Sequence, residues 1–125
     1  MDRKELVKLE DFLIDVLSEF GYPVRRQGSF LESEPYPDNF FTFWNNSADG
    51  SGFYDNEEHA ILYEYDVNFY SVDVEKAYSV LRDAKKKLKE NGFEVWGDAY
   101  DVMSDENTHT GRGIGVSYLK TLKGE

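Results

Sequence analysis

Two histidines lie close to carboxylates in the sequence, which is a combination of side chains that can bind a metal ion. His59 ends the sequence DNEEH, and His109 lies in DENTH. Two loops that bring imidazole and carboxylate groups together can hold a divalent cation. The spacing matches no established metal motif, however. We therefore expect two solvated loop histidines and no metal or other cofactor.

Other candidate chemistry is incomplete in the same way. Asp49, Asp55 and Glu58 imitate part of a calcium loop, but the twelve-residue pattern of such loops is absent. The glycines at 111–115 are not followed by the helix that a dinucleotide-binding turn requires. No Gly-x-Ser-x-Gly sequence occurs, and paired carboxylates are unavoidable in a chain with 25 acidic residues. We therefore predict no catalytic residues and a protein that is not an enzyme.

The composition limits the chain to one small domain. It has 125 residues, of which 16% are aromatic, and no cysteine. A chain of this length supports one hydrophobic core, so residues 1–125 are expected to fold as a single domain. The lack of cysteine excludes disulfides and thiolate metal sites. No apolar run approaches the roughly 20 residues of a membrane span, so no membrane is expected as a partner.

The net charge of −11 is concentrated in one part of the chain. Residues 27–75 contain eleven Asp and Glu but no Lys or Arg. Such a surface repels phosphate groups, which dominate the affinity of proteins for nucleic acids. The lysines between 85 and 89 form the one basic cluster, which suits the last turn of a helix. We therefore expect no tight nucleic-acid binding.

Hydrophobic periodicity predicts two helices and five strands. Apolar residues at spacings of three and four predict a first helix that ends at Gly21 and a second that starts after Asp73 and ends at Asn91-Gly92. The predicted strands are 22–27, 40–45, 61–70, 93–102, with a bend at Gly97, and 112–118; residues 46–58 are predicted to form a long connection. The glycines of the last strand suggest that another backbone or subunit approaches it. This order predicts an α+β fold, with a mainly antiparallel sheet and both helices on one face.

A sheet covered by helices on one face leaves the other face without a second layer. Aromatic side chains there could stack bases or sugars, but they more often belong to a core or to a subunit interface. We expect a neighbouring subunit to cover part of this sheet, over an interface of at least ~1,000 Å². The predicted interface residues are Phe41, Phe43, Trp44, Tyr63, Tyr65 and Tyr70.

Several phrases of the sequence, together with the element order, resemble a known family. The phrases are YPDNFFTFWNN, EEHAILYEYDVNFYSVD, NGFEV and SDENTHTGRGIGVSYL. Together they are similar to tail terminator proteins (tail completion, head–tail joining) of lambda-like long-tailed phages and prophages. The resemblance covers about residues 5–120.

The resemblance implies a structural assembly protein. Members of this family form hexameric rings that cap the tail tube and then meet the head connector. It therefore implies self-association, partners in the tail tube and head connector proteins, and a location in the host cytoplasm during assembly and then in the virion. The alternative is an acidic interaction or inhibitor protein that acts on a basic partner, which the charge pattern also accommodates.

The charge pattern gives a first prediction. The isolated protein should show no measurable affinity for duplex DNA at about 150 mM salt, because the acidic segment opposes phosphate approach. A fluorescence anisotropy titration with labelled duplex measures this. Micromolar binding that Lys85→Glu or Lys87→Glu weakens would contradict the prediction and favour a nucleic-acid function.

Overall fold

The computed structural model describes residues 3–26, 36–51 and 60–121, and it confirms the predicted α+β fold. Its element order is helix, three strands, helix and two strands. The elements are α1 (Arg3–Ser18), β1 (Val24–Arg26), β2 (Asn39–Ser51), β3 (Ala60–Ser71), α2 (Val74–Glu90), β4 (Glu94–Val102) and β5 (Thr110–Thr121).

Local signals account for the helix ends. The side chain of Asp73 accepts hydrogen bonds from the backbone N–H groups of Glu75 and Lys76, at 3.0 and 3.4 Å, and so caps α2. Gly92 follows the last turn with φ +91°, a left-handed conformation that glycine adopts without strain. Gly21 has φ +85° at the end of α1. The predicted N-cap and both predicted stop signals are confirmed.

The five strands form one sheet in the order β1-β2-β3-β5-β4. β1 pairs with β2 in parallel, and the other pairs are antiparallel. Both helices pack on the same face of this sheet. The core between them combines the apolar side of each helix with the alternate residues of the central strands, among them Leu13, Leu17, Leu81, Leu88, Val67 and Ile114.

The alternation along β3 assigns every strand residue to one of two faces. Ile61, Tyr63, Tyr65, Val67 and Phe69 are buried in the core, while Leu62, Glu64, Asp66 and Asn68 lie on the opposite side and are half-buried. We call that opposite side the open face. Through the strand register it also includes Thr42 and Trp44 of β2, Gly113 and Gly115 of β5, and Trp96 and Tyr100 of β4.

β2 is longer than the sequence predicts. Residues 46–51 continue the strand, although they were predicted to begin a long connection. The pairing with β3 is irregular between Asn45 and Ser47, which places one extra residue in β2 and keeps the ladder going. The polar, Gly-containing composition led to the wrong prediction because cross-strand pairing outweighs local propensity here. Residues 52–59 of the predicted connection lie outside the described residues.

Two glycines of β5, Gly111 and Gly113, are explained by packing within the subunit, whereas the sequence suggested the approach of another backbone or subunit. A Cβ added to Gly111 would lie 2.8 Å from the ring of Tyr70, and one added to Gly113 would lie 2.3 Å from Oδ1 of Asn68. Side chains of the neighbouring strands therefore occupy the space above these glycines, and no second subunit is needed to explain them. The predicted bend at Gly97 is confirmed, because its φ is +61° and the β4 register shifts between Trp96 and Tyr100.

Two of these glycines give a matched prediction. Gly113→Ala should lower the free energy of unfolding by about 1–3 kcal/mol, because the new methyl group would overlap the Asn68 side chain. Gly115→Ala should leave it within about 1 kcal/mol of the wild type, since the nearest atom to its Cβ is 3.9 Å away. Urea denaturation of both variants measures the difference. Equal stability of the two variants would contradict the assigned packing.

Candidate protein-binding face

The six predicted interface residues do not form one surface. Phe41, Phe43, Tyr63 and Tyr65 are fully buried in the core under the helices, so the interface prediction is corrected for these four. Tyr70 lies on the open face but is also buried. Trp44 alone among the six is exposed, at 53%. The physical reason is strand parity: neighbouring aromatics in FFTFW point to opposite faces of the sheet.

An aromatic cluster covers one end of the open face. Phe40 stacks on Tyr70 with ring centroids 5.0 Å apart. The rings of Tyr36 and His109 pack edge-on against Phe40, at 5.6 and 5.7 Å. The Nε2 atom of His109 also lies 2.8 Å from the carbonyl oxygen of Pro37. His109 is therefore a half-buried packing residue, not the solvated loop histidine that the sequence predicts.

The centre of the open face carries two exposed tryptophans, Trp44 and Trp96. Trp44 is paired with Asp66, Asp66 with Gly115, and Gly115 with Trp96. These four residues form one row that crosses four neighbouring strands. Three interstrand spacings place the Cα atoms of the two tryptophans about 14 Å apart. The row therefore has an indole at each end, with a carboxylate and a glycine between them.

A shallow cavity of about 150 Å³ lies within this row. It is bounded by Trp96, by the acidic side chains of Glu64 and Asp66, and by the surface at Gly115. The Nε1–H group of Trp96 donates a 2.8 Å hydrogen bond to Oγ of Ser117, so its indole leans over β5. Of the two tryptophans, Trp96 alone lines this cavity. We call the cavity beside Trp96, above Asp66 and Gly115, the indole slot.

Tyr100 fixes the carboxylate of the slot. Its hydroxyl group donates a 3.2 Å hydrogen bond to Oδ1 of Asp66. Burial of the phenol, the negative charge of Asp66 and this hydrogen bond all raise the pKa of Tyr100 above its ordinary value. In the part of the chain that the structure describes, no residue donates a hydrogen bond to Oδ2 of Asp66. That oxygen remains available to a donor from outside the chain.

Sequence reasoning missed Trp96, Tyr100 and Asp66 as members of one site. Trp96 and Tyr100 lie on either side of the bulge at Gly97, and both are on the open face. Strict alternation along β4 would also place both residues on one face, but the sequence does not show which strand pairs with β4. The useful signal was the acidic half of the alternation in 61–70, which marks the solvent side of the central strand.

A second cavity, of about 290 Å³, lies on the helix side between α2 and β4. Arg112 lines this cavity, and its guanidinium lies 4.5 Å from the ring centroid of Tyr78. The same group donates hydrogen bonds to Oδ1 of Asp101, at 2.6 Å, and to the carbonyl oxygen of Ala99, at 3.1 Å. These contacts hold β4 and β5 against α2. We assign Arg112 to packing of the edge strand.

Residues 3–26, 36–51 and 60–121 contain no cluster of three or more acidic and histidine side chains that could hold a metal ion. His59, Asp55 and Glu58 lie outside the described residues. Within the same ranges, neither helix is long and apolar enough to cross a membrane.

No protein-family model and no curated protein matches the chain. The fold and the open face are therefore the observations from which a function can be proposed.

The contact between Tyr100 and Asp66 gives a third prediction. Asp66→Asn should lower the pKa of Tyr100 towards the ordinary value of about 10, because it removes the charge that opposes tyrosinate formation. Because the pKa of Tyr100 is higher in the folded than in the unfolded state, the free energy of unfolding falls as the pH rises from the unfolded pKa of about 10 through the folded pKa. Asp66→Asn should make this fall smaller. NMR titration of the Tyr100 ring measures the pKa directly. Asp98→Asn is the matched control, and an equal effect of both variants would contradict the assignment.

Proposed function

We propose that this protein is a structural, non-enzymatic subunit of a phage or prophage tail, a ring-forming tail terminator or head–tail joining adaptor that caps the tail tube. The observation that carries the proposal is the centre of the open face, where Trp44, Trp96 and Tyr100 are partly exposed and neither helix of the described residues lies above them. The resemblance of the sequence to tail terminator proteins supplies the class of assembly.

The residue types at this centre are those of protein interfaces. Tryptophan and tyrosine are enriched among the residues that contribute most to protein–protein affinity. Trp44 and Trp96 are exposed by 53% and 54%. A partner that covers the row would bury two indoles and the ring of Tyr100 together. Large apolar side chains grouped in this way are a recognised sign of an interaction surface.

The sheet edges are less suited to pairing with a neighbour than the face is. β1 has three residues, and β4 carries a bulge at Gly97 that interrupts its ladder. Short and bulged edge strands oppose the addition of a further strand. A ring built from such subunits would use the open face of each one against another surface of the next, which is a heterologous contact.

A second candidate function is favoured by the charges of the open face. Glu64 and Asp66 face outwards at its centre, and no Lys or Arg occurs between residues 27 and 75. An acidic protein with such a surface can occupy a basic partner and inhibit it. Inspection of the neighbouring genes separates the two: tube, tape-measure and connector genes favour the tail, and a nuclease or toxin gene favours the inhibitor.

The tail proposal predicts the outcome of an assembly reaction. Tails made without this protein should be overlong or should fail to join heads, and adding the wild-type protein should restore them. Trp44→Asp should not restore them, because the new charge would be buried against the partner. Electron microscopy of tail length and of joined particles measures the result.

The control places the same change on the other side of the subunit. Val74 at the start of α2 is 55% exposed, close to the value for Trp44, so Val74→Asp should restore assembly. Circular dichroism checks that both variants fold. Tails of normal length that join heads without the protein would exclude the terminator role.

A further inference from the structure

We propose that the indole slot is a binding site for the guanidinium group of an arginine side chain from a partner protein. The inference rests on the proposed function in one respect, which is that the partner is a protein. It names the chemical group that the open face recognises, and it follows from the walls, the charge and the floor of the slot.

The walls of the slot include one indole, that of Trp96. A guanidinium is flat, and it stacks on the faces of aromatic rings through cation–π attraction, for which tryptophan is the best partner. The hydrogen bond between Trp96 Nε1–H and Ser117 holds one wall in place. Trp44 lies in the same row on the far side of Asp66, outside the cavity.

The charge of the slot is negative and partly preorganised. Asp66 borders the cavity, and Tyr100 holds its Oδ1 atom at 3.2 Å. Among the described residues, no Lys or Arg lines the slot. A guanidinium presents N–H donors in a fixed plane and can bind a carboxylate through two of them. A cation supplied by a partner is therefore the complement of this site.

The floor of the slot is Gly115, and here it differs from the neighbouring glycines. Side chains of the chain itself lie within 3.0 Å of a Cβ placed on Gly111 or Gly113, whereas the nearest atom at Gly115 is 3.9 Å away. The space above Gly115 is therefore open to a ligand. The cavity of about 150 Å³ is small and shallow, which suits the end of one side chain better than a nucleotide.

Trp44 and Trp96 are the only two tryptophans in the chain, so the Trp96 indole signal reports on the slot and the Trp44 signal serves as a reference on the same face. The probe is a short blocked peptide, acetyl-Gly-Arg-Gly-amide, titrated into ¹⁵N-labelled protein while the two indole N–H resonances are followed. Matched peptides carry lysine or citrulline, which is a neutral isostere of arginine. We expect a saturable shift of the Trp96 resonance with arginine, binding at least about fivefold weaker with lysine, and no shift with citrulline.

Variants test whether the slot itself is responsible. Asp66→Asn should weaken arginine binding at least about tenfold, since it removes the paired charge. Gly115→Val should abolish binding by filling the floor, while Asp98→Asn, outside the slot, should leave it unchanged. Circular dichroism and the backbone NMR spectrum check that each variant folds. If Gly115→Val does not fold, Gly115→Ala replaces it, with weakened binding expected.

Equal shifts with arginine and citrulline, no shifts with arginine, or unchanged binding in Asp66→Asn would overturn the inference. The assembly reaction tests the proposed function separately. If the wild-type protein does not bind arginine but tails require the protein, the slot proposal alone is rejected. If the wild-type protein binds arginine but tails assemble normally without the protein, the tail role alone is rejected.

Discussion

The strict alternation of side chains along β3 is the constraint on which the rest of the structure depends. β3 lies in the middle of the sheet and pairs with β2 on one side and β5 on the other. Its core side contains Tyr63, Tyr65 and Phe69, and its open side contains Glu64 and Asp66. A register shift by one residue would bury both carboxylates and expose the aromatic rings. The same pattern therefore fixes the core and the acidic, aromatic face together.

A buried charge connects α1 to this sheet. Glu10 of α1 is 3% exposed, and it forms an ion pair with Arg26 of β1. The hydroxyl group of Tyr65 in β3 donates a 3.4 Å hydrogen bond to Oε2 of Glu10. Burial and the neighbouring Glu10 charge raise the pKa of Tyr65. A buried carboxylate is tolerated only when it is paired and hydrogen-bonded, so these contacts fix the position of α1 over the sheet.

The features that the sequence predicted correctly depend on local chemistry. The Asp73 cap, the stop at Gly21 and the bend at Gly97 each follow from the conformational preference of one residue. The alternation in β3 is likewise contained in consecutive residues. These signals were sufficient for the element order and the fold class.

The features that the sequence missed depend on which strands are neighbours. Phe41 and Trp44 lie on opposite faces of β2 by strand parity, but which face is buried depends on where the helices pack. Trp96 joins Trp44 in one site only because β5 lies between β3 and β4. His109 packs against Phe40, which is distant in sequence. Contacts of this kind are set by the folded topology and leave no local pattern.

We expect assembly to cover the centre of the open face, and the accessibility of the two tryptophans tests this expectation. Acrylamide quenching of tryptophan fluorescence can be measured on the isolated subunit and on the same protein bound to tail tubes. We expect acrylamide to quench the tryptophan fluorescence less in the bound protein, and the emission to move to shorter wavelength, because both half-exposed indoles become buried. A bound protein whose tryptophans are quenched as readily as those of the free subunit would contradict this expectation.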